Sequence, residues 1–291
     1  MLPLVAAMLM LLVPARAHAW GFAGHQLIMR RAIELLPPEL KPFYEHFRDD
    51  LHVRITDADV WRGVPWDDDA NHFVDFGVPE YGPPPFAVLP REHGAALAKF
   101  GAVTLKKYGT LPWREEEMAG ALRRAMDNMG RHGTYAASDT VLFTAQASHY
   151  LQDASQPFHA TINHDGQLTG NLGVHSRFES ELLERFGSRL RLNPAAPAPI
   201  TNVRDTVFDD LIVSYGLVDR ILAADHAAAA SREFYDDAYF EAFFTAMQPL
   251  LEQQLNQAIS RTAGLIIGAW ELAGKPAMRT AIPRPIQRVP R

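Results

Sequence analysis

Apolar residues recur along most of the chain at intervals of three and four, the spacing that places side chains on one face of a helix. The first such segment covers residues 26–36 and is stopped by Pro37 and Pro38. The same spacing predicts six further helices, at residues 91–107, 116–130, 139–153, 175–187, 205–230 and 237–273. Pro249 lies inside the last of these, so we expect a kink or a break there.

Three stretches between the helical segments are rich in proline, glycine, aspartate and asparagine, which favours loops. They are residues 52–88, 155–174 and 189–203. We find no set of segments with the alternation of period two that is typical of strands. The pattern therefore predicts an all-α protein, a single-domain helical bundle, whose long loops are suited to carry binding groups.

The N-terminal segment, residues 1–19, differs from the bundle. It contains an apolar run from Leu2 to Val13 and ends in the small-x-small pattern that precedes signal-peptide cleavage. The run is shorter than the roughly 20 residues that span a bilayer, although an uncleaved membrane anchor is the alternative. We expect a cleaved signal peptide, a mature chain that begins at Trp20, and a periplasmic or secreted protein.

The C-terminal segment, residues 276–291, contains four prolines, four arginines and no acidic residue. This composition predicts a flexible tail, which leaves residues 20–275 as the folded domain. The cluster of aromatic residues between 234 and 244 is expected in the core rather than on a lipid-docking surface.

The amino-acid composition limits the class of protein, its partners and the metal ligands that are possible. Of the 291 residues, 47% are hydrophobic and 21% charged, which is typical of a globular protein and excludes a mainly disordered chain. The net charge of −6 argues against a dominant basic face for nucleic acid. Cysteine is absent, so disulfides and thiolate metal sites are excluded, and any metal ion must be bound by nitrogen and oxygen.

Histidines and carboxylates occur at spacings that suit metal binding. His149 and Asp153 are four residues apart in a predicted helix, so both side chains leave the same face, and His175 and Glu179 repeat this arrangement. His159 lies in the loop between the two pairs. One such pair alone is as readily a salt bridge, but two successive pairs favour a metal site, and zinc is commonly bound by imidazole and carboxylate.

Two motifs resemble those of the zinc-dependent phospholipase C / S1–P1 nuclease superfamily. One is Trp20-Gly-Phe-Ala-Gly-His25 at the expected mature N-terminus, and the other is His149-Tyr-Leu-Gln-Asp153-Ala-Ser-Gln-Pro-Phe-His159. The resemblance covers residues 20–179. It implies an α-helical fold in which long loops surround a cleft with three zinc ions.

The resemblance also implies nine ligands in three zinc sites. Trp20 would contribute its α-amine and carbonyl oxygen, which explains why cleavage directly before it matters. The expected sets are Trp20, His25 and Asp153 for the first ion, Asp59, His72, His149 and Asp153 for the second, and His159, His175 and Glu179 for the third.

The reaction that the resemblance implies is hydrolysis of a phosphoester by metal-activated water. Asp59 is expected to accept a proton besides binding metal, and Arg62 to bind a phosphate oxygen. A structural ion pair between Arg62 and the acids at 67–69 is the alternative. Phe73 and Asp75 are the expected substrate-binding residues, since the nuclease branch stacks and hydrogen-bonds a base at these positions.

The substrate is either a phospholipid headgroup or a nucleotide phosphoester. Glu179 and the absence of cysteine favour the phospholipase C branch, whereas the spacing of Trp20 and His25 and the Asp59-x-x-Arg62 pattern favour the nuclease branch. We expect a secreted, phospholipase C-like enzyme with no stable protein partner. The alternatives are an S1/P1-type single-strand nuclease or nucleotidase, and a non-catalytic periplasmic zinc-binding protein. Trp61 and Trp66 are candidates for lining the substrate entrance or for packing the acidic loop.

Overall fold

The computed structural model describes residues 20–63, 65–230 and 232–280. Helices form all the regular secondary structure in these ranges. No strand occurs in these ranges, so the all-α prediction is confirmed. The expected signal peptide and residues 281–291 of the expected tail lie outside the described residues. Within the described part, no helix is both long enough and apolar enough to cross a membrane.

We number the described α-helices α1 to α12 in chain order. They are Gly21–Glu34, Lys41–His46, Arg48–Arg54, Asp57–Trp61, His93–Tyr108, Leu111–Gly130, Ala136–Asp153, Val174–Ser176, Leu182–Phe186, Val203–Tyr215, Val218–Ala229 and Asp237–Leu272. A π-helical turn, Arg177–Glu181, joins α8 to α9. Single 3-10 turns occur at Asp69–His72, Pro79–Tyr81, Pro157–Ala160 and Gly187–Arg189.

Side-chain caps explain where several helices begin. The carboxylate of Glu92 accepts hydrogen bonds from the first free backbone N–H groups of α5. Asn202 and Asp236 do the same at the starts of α10 and α12. These caps satisfy donors that have no partner within the helix, so they fix each start to one residue.

The predicted helices exist, with several corrections. The first begins at Gly21 instead of residue 26, and the helix predicted at 175–187 consists of α8, the π-helical turn and α9. The helix predicted at 116–130 begins five residues earlier, at Leu111, because Pro112 is favourable in a first turn. The single helix predicted at 205–230 is two helices, α10 and α11, divided after Tyr215 where Gly216 weakens helical continuity. At Pro249, where a kink or a break was expected, α12 continues without a break.

The stretch 52–88 is less irregular than predicted. It contains the end of α3, all of α4 and two 3-10 turns. Helices of one or two turns are too short to show a periodic pattern, and packing against longer neighbours is what stabilises them. α4 packs against α7, and this contact brings the start of the predicted loop to the centre of the molecule.

Two packed groups of apolar side chains form the core. One joins α1, α2, α11 and α12, and the second joins α5, α6, α10 and the segment 74–89. Of the aromatic residues between 234 and 244, Tyr239, Phe240, Phe243 and Phe244 are buried, as predicted, whereas Phe234 and Tyr235 are exposed.

Close backbone contact fixes the segment 190–202 on α12. The backbone N–H of Ile200 donates to the carbonyl oxygen of Gly264 at 3.0 Å. One turn further along α12, a Cβ atom added at Gly268 would lie 2.0 Å from the Ile200 carbonyl oxygen. The absence of a side chain at Gly268 is therefore a requirement of this contact.

The first residues of the expected tail contact the bundle. The carbonyl oxygen of Pro276 accepts a hydrogen bond from the indole N–H of Trp270 at 2.9 Å, and Met278 packs against the core. Residues 276–280 therefore continue the fold beyond α12.

α7 contributes to both groups of the core and has buried residues along its whole length. Several of these residues are polar, among them His149, Gln152 and Asp153. Because a buried polar group without a partner is costly, the surroundings of α7 must supply ligands or hydrogen bonds.

Candidate metal centre

His149 and Asp153 lie one turn apart on the same face of α7, as predicted. The Nε2 atom of His149 is 3.5 Å from Oδ2 of Asp153, and both side chains are fully buried. His25 comes from α1 and stacks on the ring of His149, with ring centroids 4.1 Å apart. The second half of the helix is therefore the wall of a buried polar site.

Three groups of buried side chains in the described ranges have potential ligand atoms within 4.8 Å of one another. Each group combines imidazole with carboxylate, the donor set that the sequence suggested. The groups are His25, His149 and Asp153; Asp59, His72 and His149; and His159, His175 and Glu179.

The first two groups share His149 and lie around Asp153. Oδ1 of Asp153 is 3.4 Å from Nε2 of His25, and Oδ2 is 2.9 Å from Nδ1 of His72. The two carboxylate oxygens thus face two different groups, which is the arrangement of a bridging ligand. Asp59, from α4, has its Oδ1 atom 3.9 Å from Nε2 of His149.

The third group forms where the chain turns after α7. His159 lies in the 3-10 turn Pro157–Ala160, and its ring is edge-on to that of His175 with centroids 5.1 Å apart. Nε2 of His175 is 2.9 Å from Oε2 of Glu179, which lies in the π-helical turn. Gln156 donates a hydrogen bond to the same Glu179 oxygen at 2.7 Å.

Three imidazoles are oriented by an oxygen atom on their far side. Nδ1 of His149 is 2.7 Å from the Ile55 carbonyl oxygen, and Nδ1 of His159 is 2.6 Å from the His72 carbonyl oxygen. Nδ1 of His25 is 2.7 Å from Oε1 of Gln152. A carbonyl oxygen can only accept, so Nδ1 carries the proton and Nε2 presents a lone pair to the site.

Burial and neighbouring charge set the protonation states of the site. Burial lowers the pKa of His149 and of His159 well below the usual value, so both stay neutral. Burial alone would raise the pKa of Asp153, but the surrounding imidazoles hold it well below the usual value. Burial would lower the pKa of His72, yet Asp153 and Asp68 raise it to about 9.

The donor atoms fit divalent metal ions. Several have no hydrogen-bond partner among the described residues, including Nε2 of His25 and His175, Oδ1 of Asp153 and Oε1 of Glu179. Burying charge without compensation is strongly unfavourable, and a bound cation would supply the compensation. His149 and His159 as neutral imidazoles and Asp153 as an ionised carboxylate are already in the states that bind a metal ion.

The side chain of Trp20 is fully buried and contacts Gln152, which also contacts His25 of the first group. Its indole N–H donates to the Gln152 carbonyl oxygen at 2.9 Å, and its φ of 46° directs the chain into α1. Gln152 thus contacts both Trp20 and His25. The proposed role of the Trp20 α-amine as a ligand stays a prediction.

Arg62 makes the structural ion pair that was the alternative interpretation, and its role in binding a phosphate oxygen stays a prediction. Its Nε donates to Oδ1 of Asp69 at 2.8 Å, which is the structural pair with the acidic loop. Its Nη1 is also 3.7 Å from Oδ1 of Asp59, so the guanidinium borders the second group. The side chain is only 13% exposed.

The expected substrate-binding residues, Phe73 and Asp75, follow His72 along the chain and belong to none of the three groups. Phe73 is half-buried, and Asp75 is buried, with its backbone N–H donating to the Tyr108 carbonyl oxygen at 2.8 Å. Trp61 and Trp66 form a ring pair with centroids 6.2 Å apart, and Trp66 is 71% exposed. This pair extends from the end of α4 toward solvent.

Sequence reasoning missed the residues that support the ligands. Gln152 orients His25, Gln156 holds Glu179, and Asp68 contacts His72. Gln152 and Gln156 stand inside the His149–His159 motif, where buried amides next to ligands are a usable signal. No local signal marks the Ile55 carbonyl oxygen.

Comparisons with other proteins add no assignment. No model of a known protein family matches the chain, and no curated protein sequence matches it. The geometry of the three groups is therefore what indicates a function.

Proposed function

We propose that this chain is a secreted, zinc-dependent phosphoester hydrolase of the phospholipase C / S1–P1 nuclease superfamily, acting as a phospholipase C. The observation that carries the proposal is the arrangement of two ligand groups that share His149 and lie around Asp153, together with a third group of the same donor types. Adjacent metal sites of this kind suit phosphoester cleavage, because the attacking and the leaving oxygen need stabilisation together.

The groups would hold three zinc ions, with His25 and Asp153 at the first. Asp59, His72, His149 and Asp153 would hold the second, and His159, His175 and Glu179 the third. The chemistry supplied by bound zinc is a lower pKa for water, from about 15.7 toward about 7, and polarisation of the phosphate. Cleavage before Trp20 would add its α-amine to the first set.

The chain's own groups orient the substrate and move protons. Asp59 is 3% exposed and borders Arg62, so it is placed to accept a proton from an attacking water molecule. Arg62 would bind a phosphate oxygen after exchanging part of its contact with Asp69. Asp153 stays ionised throughout, because the surrounding imidazoles hold its pKa low.

One observation favours the nuclease branch as a second candidate. The Trp61–Trp66 pair presents an exposed ring next to Asp59 and Arg62. Exposed aromatic rings next to a phosphate site are platforms on which bases stack. An S1/P1-type single-strand nuclease or nucleotidase would use this surface together with Phe73 and Asp75.

The test compares substrates on one preparation. Protein with Trp20 as its first residue is stripped with chelator, reloaded with zinc, and assayed on mixed phospholipid vesicles and on a single-stranded oligonucleotide. We expect headgroup phosphate release from the vesicles, and a fall of more than about 100-fold in Asp153→Asn, since loss of even an indirect ligand partner costs 10–100-fold.

His46→Ala is the matched control, because His46 is exposed and belongs to none of the three groups. This variant should retain full activity. Cleavage of the oligonucleotide alone would favour the nuclease branch. Zinc binding without cleavage of either substrate would contradict an enzymatic role and favour a non-catalytic zinc-binding protein.

A further inference from the structure

Asp68 is a buried carboxylate directly behind His72. It is 6% exposed and lies between the exposed Asp67 and the 3-10 turn that carries His72. Its Oδ2 atom is 3.3 Å from Nε2 of His72. None of the three ligand groups includes Asp68, so its burial needs a separate explanation.

Three donors from three parts of the fold fix the Asp68 carboxylate. The Tyr150 hydroxyl on α7 donates to Oδ2 at 2.6 Å, and Asn71 donates to Oδ1 at 2.7 Å. Arg114 on α6 donates to Oδ1 at 3.0 Å. These bonds leave the carboxylate little freedom, so its position relative to His72 is set by α6 and α7.

His72 differs from His25, His149 and His159 in which nitrogen faces the site. Those three have Nδ1 next to an oxygen acceptor and Nε2 toward the ligand groups. His72 instead has the carboxylate of Asp68 at its Nε2, at 3.3 Å and outside hydrogen-bond geometry. Its Nδ1 is 2.9 Å from Oδ2 of Asp153 and 3.2 Å from Nε2 of His149.

We propose that Asp68 is a positioning residue that makes His72 bind metal through Nδ1. A carboxylate that accepts the Nε2 proton selects the tautomer whose Nδ1 lone pair faces Asp153 and His149. It also increases the basicity of the ligating nitrogen, as carboxylates behind metal-binding histidines do. The inference rests on the proposed metal-dependent function.

The test uses three variants of the full mature chain. Asp68→Leu keeps the size of the side chain and removes every acceptor, Asp68→Asn keeps one acceptor oxygen, and Asp67→Asn is the control. Asp67 is the neighbouring acid, but it is exposed and pairs with Lys106. Asparagine also tolerates the positive φ of 54° at that position.

Zinc affinity is measured by competition with a chromophoric chelator, and the histidine tautomers of the zinc-loaded protein by long-range ¹H–¹⁵N NMR. We expect one class of zinc sites to weaken by about 10–100-fold in Asp68→Leu and by less in Asp68→Asn, with no change in Asp67→Asn. The wild-type spectrum should show one metal-bound histidine, His72, protonated at Nε2.

Three outcomes would overturn the inference. One is a zinc-loaded wild type in which His72 is protonated at Nδ1, a result that does not depend on whether Asp68→Leu folds. Another is an Asp68→Leu protein that folds and binds zinc as tightly as the control. The third is a wild-type chain that binds no zinc, which would overturn the proposed function as well. The first two outcomes would overturn only the role of Asp68.

Discussion

The imidazoles of His25, His149 and His159 are each oriented by an oxygen atom at Nδ1, and these atoms have different origins. The Ile55 carbonyl oxygen orients His149, and a side-chain amide, Gln152, orients His25. Both histidines present Nε2 to the site, whereas His72 has Nδ1 toward Asp153. The orientation of each histidine ring depends on tertiary contacts, whereas the ligand residues themselves could be named from the sequence.

Asp75 provides a prediction about pH. Burial, with a contribution from Asp69, raises its pKa to about 7 from a usual value of 3.8, and Lys107 opposes the shift. Between about pH 4 and pH 7 the folded chain therefore keeps a proton that the unfolded chain has lost. The free energy of unfolding must then decrease as the pH rises through this window.

Asp75→Asn removes that decrease because the amide does not titrate. Relative to wild type, the variant should gain about 2–3 kcal/mol in free energy of unfolding between about pH 5 and pH 8, at about 1.4 kcal/mol per pKa unit. Urea unfolding of the metal-free proteins at both values measures this gain. Parallel pH profiles for the two proteins would show that Asp75 is ionised normally.

Among the elements, α7 shows why long helices were predictable and short ones were not. Its length and apolar content define it in the sequence, and its boundary at Asp153 agrees with the prediction. α4 and the turn Asp69–His72 have too few residues for periodicity to show, yet they supply Asp59 and His72. Their helical form depends on packing against α6 and α7, which no local pattern contains.

Two glycines in helices should respond to alanine in opposite ways. At Gly268 on α12, a Cβ would lie 2.0 Å from the Ile200 carbonyl oxygen, so the segment 190–202 would have to move. We expect Gly268→Ala to lower the free energy of unfolding by about 1–3 kcal/mol or more.

Gly120 on α6 is the matched position, because the nearest atom to an added Cβ is an Arg124 side-chain nitrogen at 3.4 Å. Gly120→Ala should raise the free energy of unfolding by about 0.5–1 kcal/mol, since alanine loses less conformational freedom in a helix. Urea unfolding of both variants checks the pair. Equal stability of the two variants would mean that the 190–202 segment is not held against α12.

At the scale of the molecule, the ligand groups lie where the two packed apolar groups meet along α7. The His149–Asp153 and His175–Glu179 spacings, with the resemblance, were enough to name eight side chains that the fold brings together. The supporting acceptors and the environment of Asp75 could not be named, because they depend on contacts between distant segments. The role of the Trp20 α-amine and the substrate also stay predictions.

The most direct test of the central claim is the metal content per chain, by inductively coupled plasma mass spectrometry, of protein purified without chelator and with Trp20 as its first residue. We expect about three zinc ions per chain. The resemblance implies this number, and three buried groups of potential ligands agree with it. A chain that retains Ala19 should bind less. A content near zero would contradict the account and leave the buried histidines and carboxylates as ion pairs without a metal.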